Sequence, residues 1–325
     1  TYNRKSSSGL FTYRMPNLYD LWYPFALFEL LKIRPRTVIA SHSPYITFLV
    51  GYTYKCIFPS STLIIDYRDM WTLSRDYSGL PFFRYLERAL ESIILDAADK
   101  VIVVSNGQAS HLSSAFPTVS TNVIRNTSSL ETFSELCQEP YSSSKSRPGK
   151  FKLLYTGTLY PSFQDPSPIF EEISKLRLSS VICPNSFCLE VVSPQIDIFS
   201  SFVDKFDLWD YVDLLPFMPM NQCFLKMQEA SCFLLLEDQL TESHGVVTSK
   251  MYDYLYVGKP ILVHGISKTS ELYRYVCRHG FALGLKELPA LIDEFTAEKF
   301  PHVESFSQVA SSRSSLLPLI SDSQK

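Results

Sequence analysis

The segment Pro81–Val104, PFFRYLERALESIILDAADKVIVV, places a helical pattern directly before a strand pattern. Apolar residues recur every three or four positions over 81–99, which predicts an amphipathic helix with a face of Phe82, Leu86, Ala89, Ile93 and Ala97. The stretch 101–104 consists only of β-branched apolar residues and predicts a buried strand. A helix followed closely by a strand that is apolar throughout is typical of a parallel sheet covered by helices on both faces.

The same alternation continues on both sides of this segment. A helix is predicted over Pro16–Ile33, with Pro24 inside it as a kink or a later start, and short apolar strands are predicted at 37–40, at 63–65 and from Val123. A second series of apolar strands follows, at 151–155, 188–192, 212–215, 233–236 and 260–263. The sequence therefore predicts an α/β protein with two domains, each built on a parallel sheet.

A polar segment, 141–149, separates the two series and is rich in serine, with a proline and a glycine. This composition is typical of linkers. We therefore predict an N-terminal Rossmann-like domain over 1–141, a linker over 142–150, a second Rossmann-like domain over 151–300, and a C-terminal helix and tail over 301–325. A cleft between two such domains is the usual place for a ligand.

Composition argues against several classes of protein. Hydrophobic residues make up 46% of the 325 positions and charged residues 19%, so the bulk of the chain has enough apolar surface to fold. The formal net charge of −3 argues against a general electrostatic affinity for nucleic acid. None of the seven cysteines has CxxC spacing, which argues against a zinc site and indicates free thiols in a reducing, cytoplasmic compartment. No run of ~18 apolar residues occurs, so no membrane-spanning segment is predicted.

The first candidate site segment is Asp66–Thr72, DYRDMWT, directly after a predicted strand. In open parallel sheets the carboxyl ends of the strands border the ligand crevice. Two acids and an arginine at such a place are costly unless they are paired or used. Arg68 and Asp69 are therefore candidate functional residues, and the alternative is a structural Arg–Asp bridge at the end of the strand.

The second candidate segment is Gly157–Thr158, which follows the strand that opens the second domain. A strand that ends in glycine and leads into a helix presents free backbone N–H groups, and the helix dipole adds partial positive charge. A phosphate fits such a place, and a simple tight turn is the alternative. The segment has neither GxGxxG spacing nor the lysine of a P-loop, so the standard dinucleotide and Walker motifs do not apply.

The third candidate segment is Ser249–Leu255, SKMYDYL, which begins a predicted helix. If the helix starts near Ser249, its first N–H groups are unpaired and can hold an anion, and Lys250 lies in the first turn, where a cation is unfavourable unless an anion is bound. Asp253 lies one turn further on roughly the same face and can accept hydrogen bonds from sugar hydroxyls. The alternative has Ser249 as an N-cap and Asp253 as a solvated acid.

Taken in this order, the segments resemble the glycosyltransferase family 4-like group of GT-B enzymes, and most closely the bacterial polysaccharide-assembly type. The resemblance runs from about Leu18 to the C-terminus, and its further matching pieces are ADKVIVVS at 98–105, VIRN at 123–126, LYTGTLY at 154–160, QDP at 164–166, GVVT at 245–248 and GKPIL at 258–262. It implies two Rossmann-like domains with parallel sheets facing across a cleft, with a nucleotide-sugar held mainly by the second. Such enzymes transfer the sugar to a glycan or lipid-linked acceptor, generally with retention at the anomeric carbon, and need neither a catalytic metal nor a further cofactor.

The resemblance also implies roles for individual residues. Arg68 and Asp69 map to the strand end that borders the reacting sugar and are expected to be catalytic, with Arg68 contacting phosphate or sugar and Asp69 positioning a hydroxyl. Asp253 is expected to take the ribose hydroxyls of the donor. The full set expected to bind the donor is Gly157, Thr158, His244, Thr248, Ser249, Lys250 and Asp253.

The chain departs from the family pattern in three ways. Many relatives carry a basic residue in the loop after the phosphate-binding glycine, and none lies between Thr158 and Ser174 here. The two glutamates of the family's E-x7-E pattern map to Gly245 and Asp253, and Glu242 or His244 are candidate replacements for the first. The chain also begins after the opening strand and glycine-rich loop of the family, so the first domain is expected to be incomplete. These departures keep open a catalytically weak or inactive relative that acts as a binding or scaffold subunit. A sugar-nucleotide epimerase is a third alternative.

Contact with a membrane surface is a further hypothesis, and it would place the protein at the inner face of the membrane. The helix over 18–33 is rich in aromatic residues, and Lys32, Arg34 and Arg36 cluster at its end. Such a helix can lie on an anionic bilayer. The alternative is an ordinary helix of a Rossmann layer that faces the sheet.

Overall fold

The computed structural model describes residues 18–42, 44–74, 81–128, 149–161, 164–237, 247–279 and 282–297. Strands and helices alternate through these ranges, and the described residues form two compact units, one up to Asn126 and one from Thr127 onward. Each unit contains one sheet, and every strand pair in both sheets is parallel. The predicted α/β class with two parallel sheets is therefore confirmed.

The first sheet has four strands in the order of the chain: β1 (Thr37–Ser41), β2 (Thr62–Tyr67), β3 (Lys100–Val103) and β4 (Thr121–Val123). Its helices are α1 (Tyr23–Ile33), α2 (Ile46–Ile57), α3 (Pro81–Ala97) and α4 (Asn106–Ala115), and a 3₁₀ turn over Leu18–Trp22 precedes α1. One apolar core joins these strands and helices, and it includes Phe48, Ile65, Trp71 and Leu112. The register of β2 on β3 pairs Ile65 with Val101 and Tyr67 with Val103.

Two residues explain where the first helices lie. The helix predicted from Pro16 is regular only from Tyr23, because Pro24 is in its first turn, where the missing N–H of proline is not needed. Helix α2 was not predicted from the sequence. Its Gly51 lies so close to the sheet that a Cβ there would be 2.8 Å from Leu63 Cδ1 and 3.2 Å from Ala40 Cβ. The glycine thus allows α2 to pack closely on β1 and β2.

The second sheet has six strands in the order β10-β9-β8-β5-β6-β7. They are β5 (Phe151–Thr156), β6 (Phe187–Val192), β7 (Val212–Leu215), β8 (Cys232–Leu236), β9 (Ile261–His264) and β10 (Ala282–Leu283). Its helices are α5 (Ser167–Leu178), α6 (Ile196–Phe206), α7 (Met220–Glu229), α8 (Ser249–Val257), α9 (Glu271–His279) and α10 (Leu288–Thr296). Successive side chains of a strand point to opposite faces of the sheet. Leu153 and Leu154 of β5 accordingly belong to two different apolar clusters, one on each face.

The strand order of the second sheet reverses at β5. The chain runs outward from β5 through β6 to β7, then returns to the other side of β5 as β8 and continues outward to β9 and β10. A reversal of this kind is a topological switch point, and open α/β sheets bind ligands there, beyond the carboxyl ends of the strands. The topology therefore directs attention to the residues that follow β5 and β8.

Several sequence-based predictions fall outside the described residues. They include the linker apart from Gly149 and Lys150, and the C-terminal helix and tail over 301–325. The domain limits at 141 and 151 therefore stay predictions. None of the helices in the described ranges combines the length and the apolar character needed to cross a membrane.

Candidate functional site

The loop after β5 begins at Gly157, which has a φ of +107°. No atom lies within 4 Å of the position that a Cβ would take there, so space does not require a glycine. The positive φ does, because residues with a side chain rarely adopt it. Its N–H was expected to be free for a phosphate, but it donates to the Val192 carbonyl at 2.9 Å and so extends the sheet. Two later N–H groups of the loop, those of Leu159 and Tyr160, donate to the side-chain oxygens of Gln195 and Gln164. Within the described part of this loop the Thr158 N–H has no acceptor.

The helix that follows this loop does not offer the expected donors. In α5 the Ser167 N–H donates to Asp165 Oδ1 at 2.9 Å, Pro168 has no N–H, and the Ile169 N–H donates to the Pro166 carbonyl. The first turn of α5 is therefore saturated by its own surroundings. The expectation that Gly157 leads to a helix N-terminus with free N–H groups is wrong for this helix, because the intervening residues Asp165 and Pro166 cap it.

The N-terminus of α8 is different. Thr248 is its N-cap, and the Thr248 side chain makes no capping hydrogen bond. The predicted alternative of Ser249 as N-cap does not hold, because Ser249 is the first helical residue and is exposed. Among the residues that the structure describes, nothing accepts from the N–H groups of Ser249 and Lys250. The first turn of α8 thus retains donors that an anion can use.

The side chain of Lys250 folds back over the end of β5. Its Nζ lies 4.7 Å from the centroid of the Tyr155 ring and donates to Tyr155 Oη at 3.4 Å. Burial lowers the pKa of Lys250, and the carboxylate of Glu237 acts in the opposite direction. A cation held on an aromatic face in a poorly hydrated place attracts an anionic group more strongly than a fully solvated lysine does.

Tyr155 and Glu237 both interact with Lys250, but neither was predicted from the sequence as a site residue. Tyr155 Oη donates to the Thr158 carbonyl at 3.0 Å and so holds the loop after β5, and burial raises the pKa of Tyr155 well above its ordinary value. Glu237 is buried directly after β8, and its N–H donates to the His264 carbonyl at 2.9 Å. An acid directly after the apolar strand CFLLL was the feature of the sequence that could have indicated Glu237.

The predicted ribose contact, Asp253, lies on α8 and is half-buried. Its Oδ1 accepts a hydrogen bond from Ser128 Oγ at 2.7 Å. One carboxylate oxygen is therefore engaged within the protein. Burial and, to a smaller extent, the Asp253 charge raise the pKa of the nearby Cys223 to about 11. His244 and Glu242 lie outside the described residues, so their predicted roles stay predictions.

In the first unit, the segment Asp66–Thr72 contains both buried and exposed side chains. Tyr67, Trp71 and Thr72 are fully buried, whereas Arg68 and Asp69 are exposed. Tyr67 Oη donates to Glu91 Oε1 at 2.7 Å, and Thr72 Oγ1 donates to Glu91 Oε2. The ring of Trp71 stacks on Tyr45 with centroids 5.1 Å apart. The aromatic and hydroxyl residues of the segment thus fix its backbone, and Arg68 and Asp69 project from the carboxyl end of β2.

The alternative interpretation of Arg68, a structural Arg–Asp bridge at the end of the strand, finds no support. Its side chain pairs with no carboxylate in the described part of the chain, and only its carbonyl is engaged, by Gln108 Nε2 at 3.3 Å. Asp69 instead lies beside His42, with 3.9 Å between Asp69 Oδ2 and His42 Nδ1. His42 follows β1 and stacks on Tyr45, so it is held at the same sheet edge. His42 was not predicted, because only the pairing of β1 with β2 brings it to Asp69.

Comparisons with known proteins give structural neighbours only, since no protein-family model and no curated protein sequence matches this chain. Sucrose-phosphate synthase from Thermosynechococcus elongatus has a TM-score of 0.57 and 12% identity over 93% of this chain and 79% of its own. A mutant of S. aureus TarM in complex with Fondaparinux, alpha-GlcNAc-glycerol and UDP has a TM-score of 0.57 and 11% identity over 91% of this chain. UDP-GlcNAc 2-epimerase from Neisseria meningitidis bound to UDP-GlcNAc has a TM-score of 0.54 and 15% identity, covering 92% of this chain and 80% of its own.

These similarities concern the fold. The chain spans only 58% of the length of TarM, and identities of 11–15% are too low to carry over an activity. The GT-B fold, an α/β architecture with two parallel sheets, is nevertheless the fold that this chain shares with them.

Proposed function

We propose that this chain is a glycosyltransferase that moves a sugar from a nucleotide-sugar donor to a glycan or lipid-linked acceptor. The observation that carries the proposal is the position of Lys250 over Tyr155, beside the uncommitted N–H groups of the α8 N-terminus. This cluster lies in the unit whose sheet has its switch point between β5 and β8. Neighbours with this fold that were crystallised with UDP or UDP-GlcNAc support a nucleotide-sugar as the ligand.

The donor half of the proposal follows from charge. When the bond between the anomeric carbon and the diphosphate breaks, the departing diphosphate gains negative charge. The ammonium of Lys250 and the N–H groups of Ser249, Lys250 and Thr158 are the donors proposed to stabilise that charge. Because protein groups can do this, we propose a metal-independent reaction without a cofactor, in which the nucleotide-sugar is a substrate. Retention at the anomeric carbon is proposed on the family resemblance.

The acceptor half is proposed for the edge of the first sheet. Asp69 and His42 would position the acceptor hydroxyl, whose oxygen forms the new bond to the anomeric carbon, while its proton leaves to the departing phosphate. Arg68 is exposed and pairs with no carboxylate within the described ranges, so its guanidinium would contact a phosphate or sugar. We propose Thr248 and Asp253 as further donor contacts, with His244 as a third, and a cytoplasmic location for the protein.

The test is a thermal-shift screen against UDP, GDP, ADP and their sugars, followed by detection of the nucleoside diphosphate released with added acceptors. A ligand at 100 times its dissociation constant is expected to add about 2.7 kcal/mol to the free energy of unfolding. No shift with any nucleotide would contradict the proposal. Binding of a nucleotide-sugar without turnover would instead indicate the binding or scaffold subunit.

A sugar-nucleotide epimerase is the second candidate, because proteins of that activity are among the structural neighbours. The two candidates differ in product. An epimerase changes the configuration of the sugar of the donor without an acceptor, whereas a transferase shows acceptor-dependent transfer. Mass spectrometry and NMR of the sugar products separate them.

A further inference from the structure

The 3₁₀ turn before α1 and the helix itself carry a row of large apolar side chains on one side, here called the outer stripe. Its members are Leu18, Leu21, Trp22, Phe25 and Phe28, and each is between 50% and 71% exposed. Their spacing of three and four residues keeps them on one side of the helix. The side that packs on the core holds Leu27, Leu30 and Leu31 instead, so the aromatic residues do not face the sheet.

The orientation of α1 is fixed by more than apolar contact. Tyr23 Oη donates to Thr53 Oγ1 of α2 at 2.8 Å, which ties the start of α1 to its neighbour. Because the packed side of the helix is held in this way, the outer stripe is presented as a continuous surface. Isolated exposed apolar residues are ordinary on proteins, but a row of five with three aromatics marks an interaction surface.

Three cationic residues follow the outer stripe along the chain, and the guanidinium of one of them, Arg34, lies 6.0 Å from the centroid of the Phe58 ring. Lys32, Arg34 and Arg36 are all exposed. Lys32 pairs with Glu29 at 3.7 Å, whereas no carboxylate of the described ranges pairs with Arg34 or Arg36. A helix side that combines Trp, Phe and Leu with flanking arginines has the composition of helices that lie in the headgroup region of a bilayer.

We propose that the outer stripe, together with Arg34 and Arg36, docks on a bilayer that contains anionic lipids. The apolar side chains would enter the headgroup–acyl boundary, and the two guanidinium groups would contact lipid phosphates. The chain as a whole is acidic, with a net charge of −3, so the attraction would come from this surface and not from the overall charge. The inference does not rest on the proposed enzymatic function, since binding to vesicles is measured without a substrate.

A second copy of the chain fits this surface less well. In a two-fold symmetric dimer the same patch meets itself, which would bring the arginines of both copies into one interface. An anionic surface satisfies both the apolar and the cationic parts of the patch.

The experiment is flotation of the full chain with vesicles of phosphatidylcholine containing 30 mol% phosphatidylglycerol, compared with vesicles of phosphatidylcholine alone. We expect binding to the first and much weaker binding to the second. Replacing both arginines, Arg34→Gln and Arg36→Gln, should weaken binding by about fivefold for each arginine. The pair Phe25→Ser and Phe28→Ser should weaken it by roughly tenfold or more, since two exposed aromatic rings are lost. Glu29→Gln should strengthen it, because a negative charge near the stripe is removed.

The matched control is the pair Leu178→Ser and Phe217→Ser, two side chains that are each 77% exposed in the second unit. This pair should leave vesicle binding unchanged, and circular dichroism should show that all variants are folded. Equal binding to both kinds of vesicle, no binding to either, or equal losses from the stripe pair and the control pair would overturn the proposal. A concentration-dependent dimer that is abolished by Phe25→Ser and Phe28→Ser without lipid binding would assign the surface to a second copy instead.

Discussion

The ammonium nitrogen of Lys250 lies 4.7 Å from the centroid of the Tyr155 ring and 3.4 Å from its hydroxyl oxygen. The two residues are 95 positions apart and come from α8 and β5. Lys250 also stands in the first turn of its helix, where a cation opposes the helix dipole. A partly buried cation in an unfavourable turn is explained if an anion binds there, and this contact between Lys250 and Tyr155 is the basis of the proposed donor site.

The protonation of Lys250 gives the first prediction. Burial lowers its pKa below the ordinary 10.5, so the ammonium loses its proton at a lower pH than a solvated lysine does. Since only the charged form attracts the diphosphate, nucleotide affinity should fall as the pH rises in the alkaline range below 10.5. Lys250→Arg should bind without this loss, because arginine stays charged. Calorimetric titrations at several pH values measure both profiles, and identical profiles would contradict the prediction.

The second prediction separates the ring of Tyr155 from its hydroxyl. Tyr155→Phe removes the hydrogen bond to the Thr158 carbonyl and should lower the free energy of unfolding by about 1 kcal/mol, with little effect on nucleotide affinity. Tyr155→Leu also removes the aromatic face under Lys250 and should weaken nucleotide binding severalfold further. Urea unfolding and calorimetry give the two quantities. Equal nucleotide affinities for both variants would show that the ring does not matter.

The third prediction concerns two glycines with positive φ. Gly157→Ala should lower the free energy of unfolding by about 1–3 kcal/mol, because the φ of +107° is strained for alanine although space is open. Gly265→Ala should cost more, since its Cβ would lie 1.8 Å from the Glu237 carbonyl oxygen and would force the backbone apart. Urea unfolding of both variants tests this order, and the reverse order would refute it.

The fourth prediction concerns the pH dependence of stability through Glu91. Burial raises its pKa above the ordinary 4.5, and the hydrogen bonds from Thr72 and Tyr67 only partly oppose this. The folded state therefore binds more protons than the unfolded state, and Glu91 should cause stability to fall as the pH rises from about 4.5 through the raised pKa. Glu91→Gln has no titrating group and should lose this component. Denaturant unfolding of both proteins between about pH 4 and 8 measures the difference.

The fifth prediction separates the two proposed halves of the reaction. His42→Ala and Asp69→Asn should reduce sugar transfer by about a hundredfold or more while leaving nucleotide affinity within about twofold. Both side chains lie at the edge of the first sheet, whereas the proposed donor cluster belongs to the second unit. Asp96→Asn, an exposed acid on α3 of the same unit, is the control and should leave transfer unchanged. A parallel loss of nucleotide binding would count against separate roles.

The sequence predicted the alternation of strands and helices well, because buried parallel strands such as Val101–Val103 are apolar throughout and helix α3 has a clear apolar period. Helix α2 was not predicted. Its sequence ITFLVGYTYKCI combines apolar, β-branched and aromatic residues with a glycine, and the glycine serves packing on the sheet. Local patterns do not reveal such a contact.

Part of the candidate site was proposed from the sequence, and its roles stay predictions. The pattern of Asp66–Thr72 led to the proposal of Arg68 and Asp69, and the place of Lys250 in the first turn of a helix led to the proposal of Lys250. His42, Tyr155 and Glu237 were not predicted, because each reaches its neighbours through strand pairing or through the return of the chain to β8. The hydrogen bond from the Gly157 N–H to the Val192 carbonyl follows from the register of β5 on β6. No short sequence motif specifies that register.

The most direct test of the donor site is calorimetric titration of UDP, GDP and ADP into the wild type, Lys250→Met and Lys268→Met. Lys268 is an exposed lysine of the same unit and serves as the matched control. At least one nucleotide should bind the wild type and Lys268→Met equally, and should bind Lys250→Met at least about tenfold more weakly, as expected for the loss of one charge-assisted contact. Equal affinity of Lys250→Met and the wild type, or the absence of binding by any of the three nucleotides, would contradict the account.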